Sequence, residues 1–492
     1  MTKFRFEMMW LVLALIVLSP TVDLLVNVSW HDQQRLLQIA IIGLVLIALL
    51  IEMMKGGGWP VLPVISRVGI TVLAVGVAGS LWGAVSLHWA YTELALLLGL
   101  SGLFLYARLF FFRHPSCLLL LPYVSLIIAA ILSVKFLAAL TNAFFSGLPL
   151  HAIALLDGFN NVRWFGQFQA LSLPLIASLA VSLRRTVTVS AVFVLLIVWW
   201  LGIFVGESRG AWLAVVFVML VMALPHLGNR ALLRVMLVSG GVGLVCYLVL
   251  FQLIAPKLGM HDSGREVSTL LGTSSGRSRL WLHSLLQIAE RPWFGWGGMA
   301  FAGERLISEG HPHNLFMQIA YEWGLLALFG VLILLGRAFL SLFSALQGGV
   351  QEAHERAVIY ALLAMLSHSM VSGVIAMPYS QTWLAILGGA VWAVCDRAHV
   401  SPVPSNRGRG WNGGLLLLLG CATFWLADVA IRDYSRLVSF EFRPGYGADG
   451  PRFWLQGGIS WDDAEPSVSK KISSSVESSE DGEAGADILL EQ

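Results

Sequence analysis

The chain has 492 residues, 57% of them hydrophobic and only 12% Asp, Glu, Lys or Arg, with a mean hydropathy of +0.77. That charged fraction is about half the roughly 25% of soluble domains, which excludes an ordinary soluble protein. A net charge of +2 gives no electrostatic footprint for nucleic acid, and the four cysteines, Cys117, Cys246, Cys395 and Cys421, show no metal-ligand spacing and read as apolar packing.

Apolar runs of about 20 residues, the length that crosses a bilayer, recur along most of the chain. The predicted fold is an all-α polytopic membrane protein with about 12–13 transmembrane helices and one long periplasmic loop. Lys3 and Arg5 precede the first run, but no small-residue cleavage site follows and apolar character continues to Val28. The run therefore reads as a retained span and not a signal peptide. Candidate spans lie at about 8–28, 36–54, 64–85, 90–112, 117–140, 165–183, 187–205, 211–226, 235–254, 315–342, 357–376, 379–395 and 413–430. Lys3, Arg5, Lys55, Arg67, Arg108, Arg113, Arg184, Arg185, Arg230, Arg234, Arg356, Arg397, Arg407 and Arg409 then fall on one side, which the positive-inside rule makes the cytoplasm. Lys135, near the outer end of the fifth span, reads as a snorkelling residue.

The other side receives the segments able to do chemistry. These are Asn142–Arg163, the break Gly206-Glu207-Ser208-Arg209-Gly210, the loop 255–314 and Met377-Pro378-Tyr379-Ser380-Gln381. The organisation expected is N-terminal helices over 1–159, helices carrying the Arg209 break over 160–254, a periplasmic catalytic loop over 255–314 and C-terminal helices over 315–430. A tail rich in aromatic and turn residues follows over 431–461, then an acidic, Ser-rich segment over 462–492 whose composition is that of disordered chains.

His313-Asn314 opens the apolar helical pattern that runs through Leu315, Phe316, Ile319, Ala320 and Trp323 to Gly324. Pro312 favours an extended His311 and fits a first helical turn, so His313 and Asn314 belong at a helix N-terminus on the membrane surface. A helix N-terminus disfavours a charged imidazole, and a neutral one can take a proton from a hydroxyl. A plain interfacial capping histidine is the alternative, and a metal role for His311 and His313 lacks the accompanying carboxylates or cysteines. Arg209 stands in a polar break flanked by small residues, where a planar donor fork suits a phosphate; neutralisation by Glu207 is the structural alternative. Arg277 and Arg279 precede a predicted amphipathic helix at about 280–290, and Arg163 adds a further outer cation. Several outer arginines near a histidine suggest a pyrophosphate site.

Four motifs occur in order: Ser208-Arg209-Gly210-Ala211-Trp212, Gly276-Arg277 with Trp281, Pro292 with Gly295 and Gly297, and His313-Asn314 with Gly324. Together, over residues 160–395, they resemble the O-antigen ligase superfamily, which includes lipid A–core ligases, O-antigen polymerases and pilin-type protein O-oligosaccharyltransferases. The resemblance implies a metal-independent glycan transferase of the bacterial inner membrane, facing the periplasm, with an undecaprenyl diphosphate-linked glycan as donor and no cofactor. It puts Arg209, Arg277 and His313 in the catalytic role; Arg279, Arg163, Asn314, Glu207 and His311 are the candidate substrate-binding residues. Ala327 stands where the ligase motif carries Gly, Thr or Tyr, and the Asn160–Gln167 and Pro378–Gln381 stretches look more like the protein-glycosylating branch. The acceptor expected is therefore Ser or Thr of a pilin-like protein, with lipid A–core ligation and O-antigen polymerisation as alternatives. A lipid-linked glycan flippase is the non-enzymatic alternative; transporters place charges near the bilayer midplane in paired halves, and no such halves are visible here.

Overall fold

The computed structural model describes residues 2–54, 62–183, 185–260, 277–303, 310–348, 350, 352–398, 409–439 and 451–455. Every regular element among them is helical, which is how an apolar chain satisfies its backbone where lipid offers no partner. The helices are α1 (Thr2–Thr21), α2 (Trp30–Met54), α3 (Val64–Trp82), α4 (Leu87–Arg113), α5 (Leu120–Ser146), α6 (Ala152–Leu155), α7 (Val162–Ser182), α8 (Thr186–Val205), α9 (Arg209–Ala223), α10 (Arg230–Tyr247), α11 (Ala255–Lys257), α12 (Arg277–Glu290), α13 (Leu315–Gly348), α14 (Ala353–His368), α15 (Pro378–Ala398) and α16 (Arg409–Ser439).

Ten of the described helices are long and apolar enough to cross a membrane: α1 to α5, α7, α8, α10, α13 and α16. The other three predicted spans also form helices, but α9 has 15 residues and α14 has 16. At 1.5 Å per residue these cover roughly 22–24 Å, short of a bilayer core of about 30 Å. The third, α15, carries Ser380, Gln381 and Thr382 buried in its first turns. The first span also differs from expectation, since α1 stops at Thr21 instead of continuing to Val28. Gln33 of α2 is the reason: its Oε1 accepts from the Leu24 and Leu25 N–H groups at 2.7 and 3.1 Å, and its Nε2 donates to the Ser19 and Val22 carbonyls. The side chain thereby satisfies the backbone that leaves the helix.

At the centre lies α7, buried along almost its whole length between α14 and α8, while α15 lies along α4 and α3 along α13. Charge separates to the two ends of these helices. At one end Arg5 and Arg113 bind Glu52, Arg108 binds Asp396, Arg397 binds Glu355, and Arg356 donates to the Leu227 and Gly228 carbonyls. Those residues mark the start of α1 and α14 and the end of α2, α4 and α15. The opposite ends of the same helices, with the starts of α7, α9 and α13, carry the outer residues of the sequence pattern. Lys135 belongs there too, and its amine ends in an ion pair 2.7 Å from Asp157.

Candidate active site

The site is built on a break in α13. Gly324 has φ +81° and ψ 169°, a conformation that interrupts the helix after three turns. The carbonyls freed by the break are taken by the turn 292–297, whose Trp296 and Gly297 N–H groups donate to Tyr321 O and Glu322 O at 3.0 and 2.8 Å. In return the Leu325 N–H donates to Pro292 O at 2.7 Å. A side chain would destroy this fit, since a Cβ on Gly324 would lie 2.2 Å from Trp293 O and one on Gly295 2.5 Å from Tyr321 O. The glycine of one motif and the glycines of another are thus two halves of one joint. Under it, Leu280, Trp296, Ala300, Phe301 and Tyr321 form a small separate core that seats α12.

Asn314 caps α13. Its Oδ1 accepts from the Phe316 and Met317 N–H groups at 3.0 Å each, and its Nδ2 donates to Met370 O at 3.0 Å. The helix begins at Leu315, whose N–H donates to Ser369 O at 2.9 Å. Pro312 therefore lies before the cap and not in a first helical turn. His313 precedes the cap in the left-handed region, at φ 56°, an uncommon conformation that re-aims its side chain. His311 and His313 are both buried, with ring centroids 4.3 Å apart and planes inclined at 66°. His311 lies over Gly373, where a Cβ would come 1.9 Å from its Nε2. That Nε2 has no hydrogen-bond partner among the described residues. Burial, and then His313, Arg452 and Arg163, hold the His311 pKa well below its ordinary value, so the ring is neutral at pH 7.

All four predicted arginines lie at this end of the bundle. Arg163 is in the first turn of α7, half-buried behind an Asn161 cap, and its charge acts on His311. Arg209 is the first residue of α9, whose start packs on α7 so closely that a Cβ on Gly166 would lie 3.0 Å from Ser208 Oγ. Glu207 precedes it at φ 47°. Arg277 opens α12, and four residues on, on the same face, Trp281 Nε1 donates to Pro312 O at 3.0 Å. The Arg277–Trp281 spacing therefore fixes the arginine relative to the histidine loop. Arg279 is exposed and lies roughly 200° round the helix from Arg277, away from that face. Gly276 and the rest of 261–276, with 304–309, lie outside the described residues.

His368, at the end of α14, is a component the sequence pattern did not single out. It is 1% exposed, neither ring nitrogen has a hydrogen-bond partner among the described residues, and a Cβ on Gly210 would lie 2.6 Å from its Nε2. It also feels the charge of Arg277. One imidazole thus links the start of α9, next to Arg209, with the start of α12. Behind the loop lies a polar layer that joins the Asn160–Gln167 and Met377–Gln381 stretches to Ser372 and Arg35, which the sequence pattern did not single out. Gln167 donates to Ser372 Oγ at 3.0 Å and accepts from Ser380 Oγ, and Arg35 donates to Gln381 Oε1 at 2.7 Å. Among the described residues no three His, Cys, Asp or Glu side chains converge as metal ligands.

Residues 191–332 match the protein-family model described as O-Antigen ligase. This stretch runs from α8 through the Arg209 break, α12 and the histidine loop to the far side of the Gly324 joint. No curated protein matches the chain.

Proposed function

We propose that this chain, which matches the O-antigen ligase family model over residues 191–332, moves a glycan en bloc from an undecaprenyl diphosphate carrier to an acceptor hydroxyl at the periplasmic face of the inner membrane. The observation that carries the reading is the convergence of Arg163, Arg209 and Arg277 with the His311–His313 pair at one end of the bundle. Guanidinium forks match phosphate oxygens, and a buried site strengthens their hold on charge that grows as the sugar leaves. Arg209 and Arg277 are assigned to the donor diphosphate, with Arg163 beside them, while Asn314 and His311 shape the loop. His313 takes the proton of the acceptor hydroxyl as its oxygen bonds to the anomeric carbon. The bond from that carbon to the diphosphate oxygen breaks, and the carrier leaves with the electron pair. The long apolar helices provide the surface for the polyprenyl chain.

A protein acceptor, Ser or Thr of a pilin-like chain, is supported by the Asn160–Gln167 and Pro378–Gln381 stretches, which meet through Gln167 and Ser380. Lipid A–core and a growing O-antigen chain are the competing acceptors, and gel mobility of pilin and of lipopolysaccharide in a deletion strain separates the three. The central test is His313→Ala. Loss of a general base costs about 10²–10⁴ in rate, so donor consumption by the purified protein in detergent should nearly vanish while membrane insertion stays normal. Unchanged transfer overturns the assignment. Consumption by the wild-type protein in detergent, with no membrane to cross, also excludes a flippase.

A further inference from the structure

Residues 451–455 lie far along the chain from the matched region, yet they are buried in the same end of the bundle. Phe453 and Trp454 are fully buried and Leu455 nearly so. The segment is tied on three sides: Arg35 Nε donates to Phe453 O at 3.1 Å, Trp454 Nε1 to Asp433 Oδ2 at 2.7 Å, and the Leu455 N–H to Asp32 Oδ1 at 2.7 Å. Its arginine faces inward. Arg452, 5% exposed, binds both oxygens of Glu322 on α13, with Nη2 2.7 Å from Oε2, and also binds Glu93 on α4. Glu93 is fixed in turn by the Met299 N–H at 2.8 Å. The same residue reaches the other side of the histidine loop, since a Cβ on Gly310 would lie 3.3 Å from Arg452 Cβ.

We propose that Arg452 is a positioning residue for the reaction: it clamps residues 310–322 at both ends, at Gly310 and at Glu322, and so sets the His311–His313 pair against the arginines while presenting one fixed cation to His311. The proposal rests on the reading of His313 as proton acceptor. A guanidinium suits the task because its planar fork spans two carboxylates at once, which a lysine amine cannot do in the same geometry. Burial opposes the charge of Arg452, but Glu322 and Glu93 outweigh it and hold its pKa above the ordinary value, so the clamp stays charged at any working pH.

The charged and titratable groups around His311 are His313 in its own loop, Arg163 from α7 and Arg452 from the tail segment. Glu93 and Glu322 stand behind Arg452, and the 369–377 stretch presents the Gly373 backbone. His368 and Arg277 lie on the far side of the site, towards α9 and α12. Replacing Arg452 by an uncharged residue removes a cation and uncovers two carboxylates. His311 then takes a proton at higher pH and becomes a cation whose ring centroid lies 4.3 Å from that of His313.

The test is the pH dependence of glycan transfer by full-length protein in detergent, assayed with a lipid diphosphate-linked glycan at pH 6 and pH 8. In Arg452→Met the acid limb should move to higher pH, so that the loss is greater at pH 6 than at pH 8. Arg452→Lys, which keeps the charge, should lose the same factor at both pH values. Glu93→Gln is nearly isosteric, keeps the Arg452–Glu322 pair and removes an anion, so its acid limb should move the opposite way. That variant carries the test alone if Arg452→Met does not accumulate in membranes. Equal losses at both pH values in Arg452→Met and Glu93→Gln would reduce Arg452 to a structural tie and overturn the proposal. Normal transfer by His313→Ala would instead remove the reading beneath it, a separate outcome.

Discussion

His311 owes its place to the absence of a side chain at residue 373. With a Cβ 1.9 Å from Nε2, Gly373→Ala must push the ring out of its slot and away from its 4.3 Å contact with His313. Neither residue belongs to the membrane-facing surface, so transfer should fall by an order of magnitude or more with ordinary protein yield; measured donor turnover close to wild type would show that the ring has room to spare. Burial of the neutral ring also has a thermodynamic sign. The unfolded chain binds a proton at the ordinary histidine pKa of 6.5, and the folded one only well below it. Between those values the unfolded state holds more protons, so stability is complete above about pH 6.5 and falls as pH drops, by up to about 1.4 kcal/mol per unit for this one group. Thermal unfolding in detergent should show a shallower acid slope in His311→Gln than in wild type. At Arg209 the question is geometry against charge. Arg209→Lys keeps a point charge and loses the fork, so donor KM should rise clearly, and full recovery by lysine would leave charge alone as the requirement.

At the scale of elements, the joint between the 292–297 turn and the break in α13 carries the histidine loop. Gly324→Ala forces a Cβ into the Trp293 carbonyl at a φ that side chains rarely adopt. Backbone strain of this kind costs on the order of 1–3 kcal/mol, and the displaced turn loses its bonds to Tyr321 and Glu322. The melting temperature should drop, whereas Gly336→Ala in the same helix, with open space around its Cβ, should leave it unchanged or slightly raised. This joint explains why the motifs are legible in the sequence. Gly295, Gly297, Gly324, the Asn314 cap and the Arg277–Trp281 spacing each satisfy a local rule of backbone or helix geometry, and local rules leave a trace in spacing. His368, Arg452, Glu93 and Arg35 obey no local rule. They meet their partners across the bundle, His368 at Gly210 and Arg452 at Glu93, and a contact between distant segments leaves no periodicity to read. Arg279 illustrates the converse: its nearness in sequence to Arg277 suggested a shared role, and the helical turn puts it on another face.

Across the whole molecule the helices run between two ends that differ in charge. The apolar runs of the sequence number about 13; ten form helices long and apolar enough to cross by themselves, and the other three, α9, α14 and α15, also run from one charged end to the other. The basic residues were more informative, since a charge at a helix end has to go to one end or the other. Opposite Arg163, Arg209 and Arg277 gather Arg5, Arg108, Arg113 and Arg397, joined to Glu52, Asp396 and Glu355 by ion pairs at helix ends, and Arg356, which donates to the Leu227 and Gly228 carbonyls. Two exposed arginines turn this separation into a measurement of orientation. Arg279 lies at the end with the histidine loop, and Arg230 opens α10 next to the 227–228 turn held by Arg356, at the opposite end. In a background with the four cysteines replaced, a membrane-impermeant maleimide added to intact spheroplasts should label Arg279→Cys and leave Arg230→Cys unlabelled until the membrane is opened. The reverse pattern would put the arginine and histidine cluster in the cytoplasm, where a donor presented from the outer leaflet cannot reach it; labelling of both from outside would mean that the two ends are not separated by the bilayer at all.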